Sequence, residues 1–222
     1  METASPPPNY VIVLAGGDPV DPRLAQRLPF GAKVIAADSG LGQAQRLGLT
    51  PDLVVGDLDS VDRGDLAAAQ AAGVPIERYP EDKDATDLDL ALERAIANGH
   101  TDIIVIGGHG GRLDHLLGNA LVVASDRFSS VHIQWWIGTT SVFVARSDAP
   151  TQLAGDHGDL VSLIAVGGPA IGVTTKGLRW PLNSETLAPG STRGISNELT
   201  AGDGQITLAA GALLVIHEGT SS

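Results

Sequence analysis

Aspartates recur in the first half of this 222-residue chain where short apolar runs end. Asp38 follows Lys33–Ala37 in Ala37-Asp38-Ser39-Gly40, and Asp57 and Asp59 follow Leu53–Val55 in Gly56-Asp57-Leu58-Asp59-Ser60. Asp82, Asp84, Asp87 and Asp89 surround Lys83 and Thr86 after Ile76–Tyr79. Carboxylates gathered in one place repel one another, and burying them raises that cost, so a cation best explains such a cluster. An all-oxygen donor set suits Mg²⁺, which bridges one or two carboxylates to substrate phosphates. Asp57 and Asp59 are two apart, so in an extended stretch they face the same side.

A second run has complementary chemistry. Gly107-Gly108-His109-Gly110-Gly111 follows Ile103–Ile106 and leads into Arg112-Leu113-Asp114-His115. Glycines such as Gly110 and Gly111 let the backbone approach a ligand closely, and the start of the next helix offers free N–H groups to an anion. Arg112 can add a bidentate contact to phosphate and Lys83 a point charge. Acidic metal ligands facing such a cradle make the two halves of a phosphoryl-transfer site.

Each piece has a plainer reading on its own. Asp38 is also a strand-end turn residue, Asp87 and Asp89 are first-turn acids that suit a helix dipole, and Asp114 with His115 is also an ordinary helix pair. The glycine run is also a turn: there is no G-x-x-x-x-G-K-[ST], and Leu113 stands where G-x-G-x-x-G needs its last glycine. His100, His132, His157 and His217 are scattered and read as structural or surface residues, and Trp135 and Trp136 as core or interface.

The elements that position these residues join the pieces. Tyr10–Ala15, Lys33–Ala37, Leu53–Val55, Ile76–Tyr79, Ile103–Ile106 and His132–Ile137 are short apolar runs bounded by turn residues, the signature of buried parallel strands. Helical patterns over Leu41–Leu47, Asp65–Ala72, Thr86–Ala97 and Arg112–Ala124 lie between them. This alternation predicts an α/β domain with a parallel sheet, whose strand-end loops share one edge, where ligands bind. After about Gly138 the texture changes. Ser141–Arg146, Leu160–Val166, Ile171–Thr175, Gln205–Leu208 and Ala212–His217 read as strands with no helix between them, which predicts a small all-β sandwich or barrel. The expected organisation is a disordered Pro-rich tail over 1–9, an α/β domain over 10–138 and a β-sandwich over 139–222.

Composition narrows the function. With 26 acidic against 14 Lys and Arg residues, the net charge of −12 argues against a nucleic-acid binder and against docking on an anionic membrane. The absence of cysteine rules out disulfides, zinc–thiolate sites and thiol catalysis. No apolar run reaches membrane-spanning length and no secretory leader is evident, so the cytoplasm is the expected compartment.

In sequence order the motifs resemble those of the thiamine pyrophosphokinases. The matching segments are Ala37-Asp38-Ser39-Gly40, Pro51-Asp52 with Gly56-Asp57-Leu58-Asp59-Ser60, Lys83-Asp84-Ala85-Thr86-Asp87, Gly110-Gly111-Arg112-Leu113-Asp114-His115, Lys176-Gly177-Leu178-Arg179-Trp180 and Ile195-Ser196-Asn197-Glu198. They run over roughly residues 10 to 217. The resemblance implies an N-terminal α/β domain and a C-terminal β-sandwich, a homodimer, and transfer of a pyrophosphoryl group from ATP to the thiamine hydroxyl with Mg²⁺, releasing AMP. It implies that Asp57, Asp59 and Asp87 serve Mg²⁺ and the ATP phosphates, with Asp38, Lys83, Thr86, Gly110, Gly111, Arg112 and Asp114 binding ATP close by. It implies that thiamine lies between the α/β domain of one subunit and the β domain of its partner, with Trp180 as stacking platform and Ser196 and Asn197 as polar contacts. A cationic thiazolium suits an aromatic face in a negative environment. Two positions depart from the usual pattern: Ser39 stands where the family often has glycine, which requires negative φ there, and Ile195 where it often has Ser or Thr. A Mg²⁺-dependent phosphohydrolase on the same aspartates and a non-catalytic nucleotide- or thiamine-binding module are the rival readings.

Overall fold

A computed structural model describes residues 9–219. The expected tail therefore lies outside the described residues except for Asn9. That residue donates its side-chain amide to the Gly99 carbonyl at 3.0 Å and lies 3.0 Å from His100 Nδ1.

The described residues divide into two compact units, 9–119 with 129–133, and 120–128 with 134–219. The first is built on β1 (Tyr10–Leu14), β2 (Lys33–Ala37), β3 (Leu53–Gly56), β4 (Ile76–Arg78) and β5 (Asp102–Ile106). Their order is β4-β3-β2-β1-β5 and every pairing is parallel. Helices α1 (Gly40–Arg46), α2 (Arg63–Ala71), α3 (Asp87–Ala97) and α4 (Leu113–Val123) follow β2, β3, β4 and β5 in turn. The central strands are apolar throughout because both faces are covered: Val11 to Leu14 and Ile103 to Ile106 are all buried. Strand order reverses on either side of β1, the switch point at whose carboxyl edge such sheets bind ligands.

Strand β6 (His132–Ile137) also opens a hairpin: Trp135, Trp136 and Ile137 pair antiparallel with Val142, Ser141 and Thr140 of β7 (Thr140–Arg146). The reason is the two-residue connection Gly138-Thr139: with Gly138 at φ +60°, the chain reverses in a tight hairpin that no parallel crossover can use.

The second unit is antiparallel. It contains β8 (Thr151–Ala154), β9 (Leu160–Lys176), β10 (Glu185–Leu187), β11 (Asn197–Glu198), β12 (Asp203–Thr207) and β13 (Ala210–Glu218). The apolar runs at Leu160–Val166 and Ile171–Thr175 form one strand of 17 residues, with Gly167-Gly168-Pro169 inside it. Its first half pairs with β13, which pairs in turn with β7; its last residues pair with β12, which pairs with β8. Sharing β9 lets two sheets enclose one core, with Leu163, Leu182, Leu187, Leu199, Ile206 and Leu213 among its most buried members. Among the described residues no helix is long and apolar enough to cross a membrane.

Candidate active site

In the first unit the carboxyl ends of β1, β2, β3 and β5 open on a cleft of about 590 Å³. Of the expected residues, Asp38, Asp57, Asp59, Thr86, Asp87, Gly110, Gly111 and Arg112 all line it.

Asp38 leaves β2 in a left-handed conformation, φ +47°, with its N–H donating to the Val55 carbonyl at 2.8 Å. Aspartate tolerates this region better than most residues. The side chain is buried and Oδ1 has no hydrogen-bond partner. Next to it Ser39 keeps φ −61°, so the serine fits without strain. Gly40 does not have that latitude: a Cβ there would collide with the Leu14 carbonyl of β1.

Asp57 and Asp59 face the same cleft for a reason other than the one expected. The segment is not extended: Leu58 takes φ +66° and buries its side chain among Ala36, Leu41 and Val54. Asp59 N–H donates to Asp57 Oδ1 at 3.2 Å and Ser60 Oγ donates to Asp59 Oδ1 at 2.8 Å. This side-chain turn brings one oxygen each of Asp38, Asp57 and Asp59 within 4.8 Å of one another.

Asp87 stands outside that trio. Thr86 caps α3, its hydroxyl accepting from Asp89 N–H at 3.3 Å, and this fixes Asp87 in the first turn. Lys83 Nζ lies 2.5 Å from Asp57 Oδ2 and 3.2 Å from Asp87 Oδ1, so it bridges the two carboxylates. Its hydrogen bond holds Asp57 below the usual carboxylate range. Burial pushes Asp87 up in spite of that lysine. Partial burial disfavours charge on Lys83 itself, but Asp57 and Asp87 together outweigh it and raise the ammonium.

Burial also pushes Asp38 up, and the negative charges of Asp87, Asp57 and Asp59 add to it. Folding therefore strengthens Asp38's hold on its proton, and keeping it ionised at neutral pH costs stability. Below the ordinary aspartate range both states are protonated and the cost disappears. We expect Asp38→Asn to gain on the order of 1 kcal/mol at pH 7 in EDTA, a gain that vanishes near pH 3. Urea denaturation at the two pH values measures it; an Asn variant less stable at pH 7 would contradict the assignment.

The opposite wall is the glycine loop. Gly108 N–H donates to the Gly16 carbonyl at 2.5 Å and Asp18 N–H to the His109 carbonyl at 2.8 Å, so this loop is bound to the one after β1. Arg112 projects into solvent at the cleft and holds Asp114 in a fork, Nε to Oδ1 at 3.1 Å and the terminal nitrogen to Oδ2 at 2.6 Å. That pairing lowers Asp114 to about 2. Asn119 was not foreseen. It is buried, lines the cleft, and donates Nδ2 to the Gly108 carbonyl at 2.8 Å. Its place one helical turn beyond His115 is the only signal the sequence offers. Ser60 and Glu81 also line the cleft without having been singled out.

The remaining expected residues, Trp180, Ser196 and Asn197, lie together in the second unit. Trp180 is 46% exposed, with the Arg179 guanidinium 4.7 Å from its ring centroid and Arg179 paired to Glu198 at 2.8 Å. Asn197 is buried and its amide is committed to backbone. Oδ1 accepts from Trp180 and Glu198 N–H at 3.0 and 2.9 Å, and Nδ2 donates to the Trp180 carbonyl at 2.7 Å. Ser196 takes φ +57° and donates its N–H to Ser162 Oγ at 3.0 Å. Ile195, the second departure, is 40% exposed beside it.

Comparison with known proteins places this geometry. Residues 28–135 match the model of the thiamin pyrophosphokinase catalytic domain, and residues 150–213 that of the thiamin pyrophosphokinase vitamin B1 binding domain. A Bacillus subtilis thiamine pyrophosphokinase is 29% identical over 183 residues, covering 82% of this chain and 86% of that protein. Thiamine pyrophosphokinase 1 of Oryza sativa is 29% identical over 161 residues, though the match spans only 60% of its length. The crystal structure of the Bacillus subtilis enzyme superposes with a TM-score of 0.84 at 25% identity, covering 96% of this chain and all of that one. That of Geobacillus thermodenitrificans gives 0.82 at 25% identity over 96% and 99%. With both domains matched in order and the whole fold shared, the chain belongs to the thiamine pyrophosphokinase family.

Proposed function

We propose that this chain transfers the pyrophosphoryl group of ATP to the hydroxyl of thiamine, giving thiamine diphosphate and AMP. The hydroxyl oxygen bonds to the β-phosphorus, the bond from that phosphorus to the oxygen shared with the α-phosphate breaks, and the hydroxyl proton is released. One observation carries the reading: three carboxylates with oxygens within 4.8 Å converge on a cleft whose other wall is a glycine loop running into a helix. The rival readings of a phosphohydrolase or a bare binding module find no support in the family comparisons.

The donor set fits Mg²⁺. It is all oxygen, and the partnerless Asp38 Oδ1 beside Asp57 and Asp59 is a buried acceptor in need of a cation or donor. Asp57 and Asp59 would hold the ion, with Asp38 behind them and Asp87 reaching it by parting from Lys83. Once bound, Mg²⁺ supplies charge neutralisation at the phosphate oxygens.

The chain supplies the rest. Gly110 and Gly111 offer backbone N–H groups to the phosphates, and Arg112 exchanges the exposed Asp114 carboxylate for a phosphate of matching fork geometry. Thr86 acts through α3 by setting the first turn that carries Asp87. In the β part, Trp180 provides an aromatic face for thiamine, Asn197 holds the Trp180 backbone, and Ser196 is a polar contact at the rim. The reading keeps residues 10–138 as the nucleotide part and 139–222 as the thiamine part. It also keeps the homodimer with thiamine bound between subunits, and the cytoplasmic setting.

The test is direct. Purified protein with ATP, Mg²⁺ and thiamine should yield AMP and thiamine diphosphate in equal amounts, with both lost in EDTA and restored by Mg²⁺. ATP breakdown that proceeds equally without thiamine would overturn the reading.

A further inference from the structure

Lys83 occupies an unusual place. Its ammonium sits among the aspartates of the cleft, 2.5 Å from Asp57 and 3.2 Å from Asp87, and the three side chains are only 13%, 15% and 24% exposed. Both Asp57 oxygens are engaged: Oδ2 accepts from Lys83, and Oδ1 accepts from Asp59 N–H at 3.2 Å. Arg112, which lines the cleft, is committed to Asp114. So one side chain neutralises the cluster from within. It is held on a short turn, Lys83 N–H donating to the Glu81 carbonyl at 3.1 Å, and it precedes Asp87 by four residues.

We infer that Lys83 is a tethered counter-cation, displaced from Asp57 when a divalent ion binds and then free to carry its charge to the anion that arrives with it. The inference rests on the reading of the cleft as a metal–phosphate site. Its physical basis is exclusion. An ammonium and a divalent ion cannot both hold Asp57 at contact distance without strong mutual repulsion, so each ion that enters must first break the Lys83 pairs. Until then the lysine relieves the repulsion among Asp38, Asp57, Asp59 and Asp87. Once released, its flexible stem lets the ammonium follow a phosphate as a mobile point charge. Lys83 thus belongs to the binding step twice, with opposite signs: it opposes the bare metal and favours the metal–nucleotide complex.

That reversal is the test. Mn²⁺ binding to the whole chain without nucleotide is followed by the loss of the free-ion electron paramagnetic resonance signal, and Mn²⁺–ATP binding by calorimetry. Lys83→Met should bind Mn²⁺ alone about tenfold more tightly, the order expected for removing one partly buried ion pair, and Mn²⁺–ATP about tenfold more weakly. Lys83→Arg, which keeps the charge, should bind Mn²⁺ alone within about threefold of the parent. In the parent protein the Lys83 Nζ resonance should shift on adding Mg²⁺ alone, a readout that holds even where the Met variant does not fold. Unchanged or weaker Mn²⁺ affinity in Lys83→Met, or an Nζ resonance indifferent to Mg²⁺, overturns the inference without touching the reading of the parent protein's activity. Absence of that product in the parent protein is the separate failure that sinks the underlying reading.

Discussion

Asp59→Asn should lower kcat for thiamine diphosphate formation by roughly 10³-fold, with a melting temperature close to that of the parent protein. The two effects separate because of where Asp59 sits. Its side chain is exposed, its hydrogen bond comes from Ser60 Oγ at 2.8 Å, and an amide oxygen still accepts that bond, at a surface position where its weakening costs little. Its backbone N–H, which holds the turn through Asp57 Oδ1, is untouched. What disappears is one negative charge of three whose oxygens lie within 4.8 Å. A divalent ion at that point loses one of its few charged donors, and the charge that stabilises transferring phosphoryl oxygens is misplaced or absent. Asp38→Asn serves as the contrast: it removes a charge from the same trio but stabilises the fold at neutral pH, because Asp38 is buried and Asp59 is not. Rates of AMP and product formation with thermal melts of both variants check the pair. An Asp59→Asn enzyme within tenfold of the parent kcat would remove Asp59 from the site.

Much of this site is legible in the sequence because it is built on strand ends. Apolar runs closed by Asp or Gly locate the carboxyl edge of a parallel sheet, and any residue there converges on its neighbours whatever the details of the loop. That is why Asp38, Asp57, Asp59, Asp87 and Arg112 come out together around one cleft. What the pattern conceals is conformation and partnership. Alternation predicts an extended Asp57-Leu58-Asp59, but burying Leu58 at φ +66° is what turns both carboxylates inward. Spacing does not reveal that Lys83 bridges Asp57 and Asp87, that Arg112 is already paired with Asp114, or that Asn197 spends its amide on the Trp180 backbone. These pairings depend on which loops face each other, a tertiary fact. In the β part the strong alternating runs give β7, β12 and β13. Strands β8, β10 and β11 escape notice because they are two to four residues long and polar. The length of β9 is hidden by Gly167-Gly168-Pro169, which reads as a break but leaves the strand continuous.

Gly107→Ala should destabilise the protein by about 3 kcal/mol or more, whereas Gly111→Ala, four residues on in the same loop, should cost only about 1 kcal/mol. Both glycines have positive φ, +87° and +61°, so both variants bear the strain of a left-handed alanine. They differ in the space around them. A Cβ on Gly111 meets nothing within 4 Å. A Cβ on Gly107 runs into the Ala15 carbonyl oxygen and comes within 3.1 Å of its carbon and 3.2 Å of the Gly16 oxygen, all of them backbone. Backbone there cannot move aside cheaply. Ala15 N–H donates to the Ile106 carbonyl at 2.8 Å, and Gly16 accepts from Gly108 N–H, so yielding at Gly107 means breaking the seam between the loops after β1 and β5. That seam is also the floor of the cleft, and Asn119 braces it through the Gly108 carbonyl. The Gly107 variant should therefore melt roughly 10 °C lower and, where still folded, bind Mn²⁺–ATP more weakly, while the melting temperature of the Gly111 variant moves by no more than a third as much. Thermal melts of the two proteins side by side decide the matter: equal losses would mean that φ alone sets the cost, and that the close approach of the two loops does not hold this edge of the sheet together.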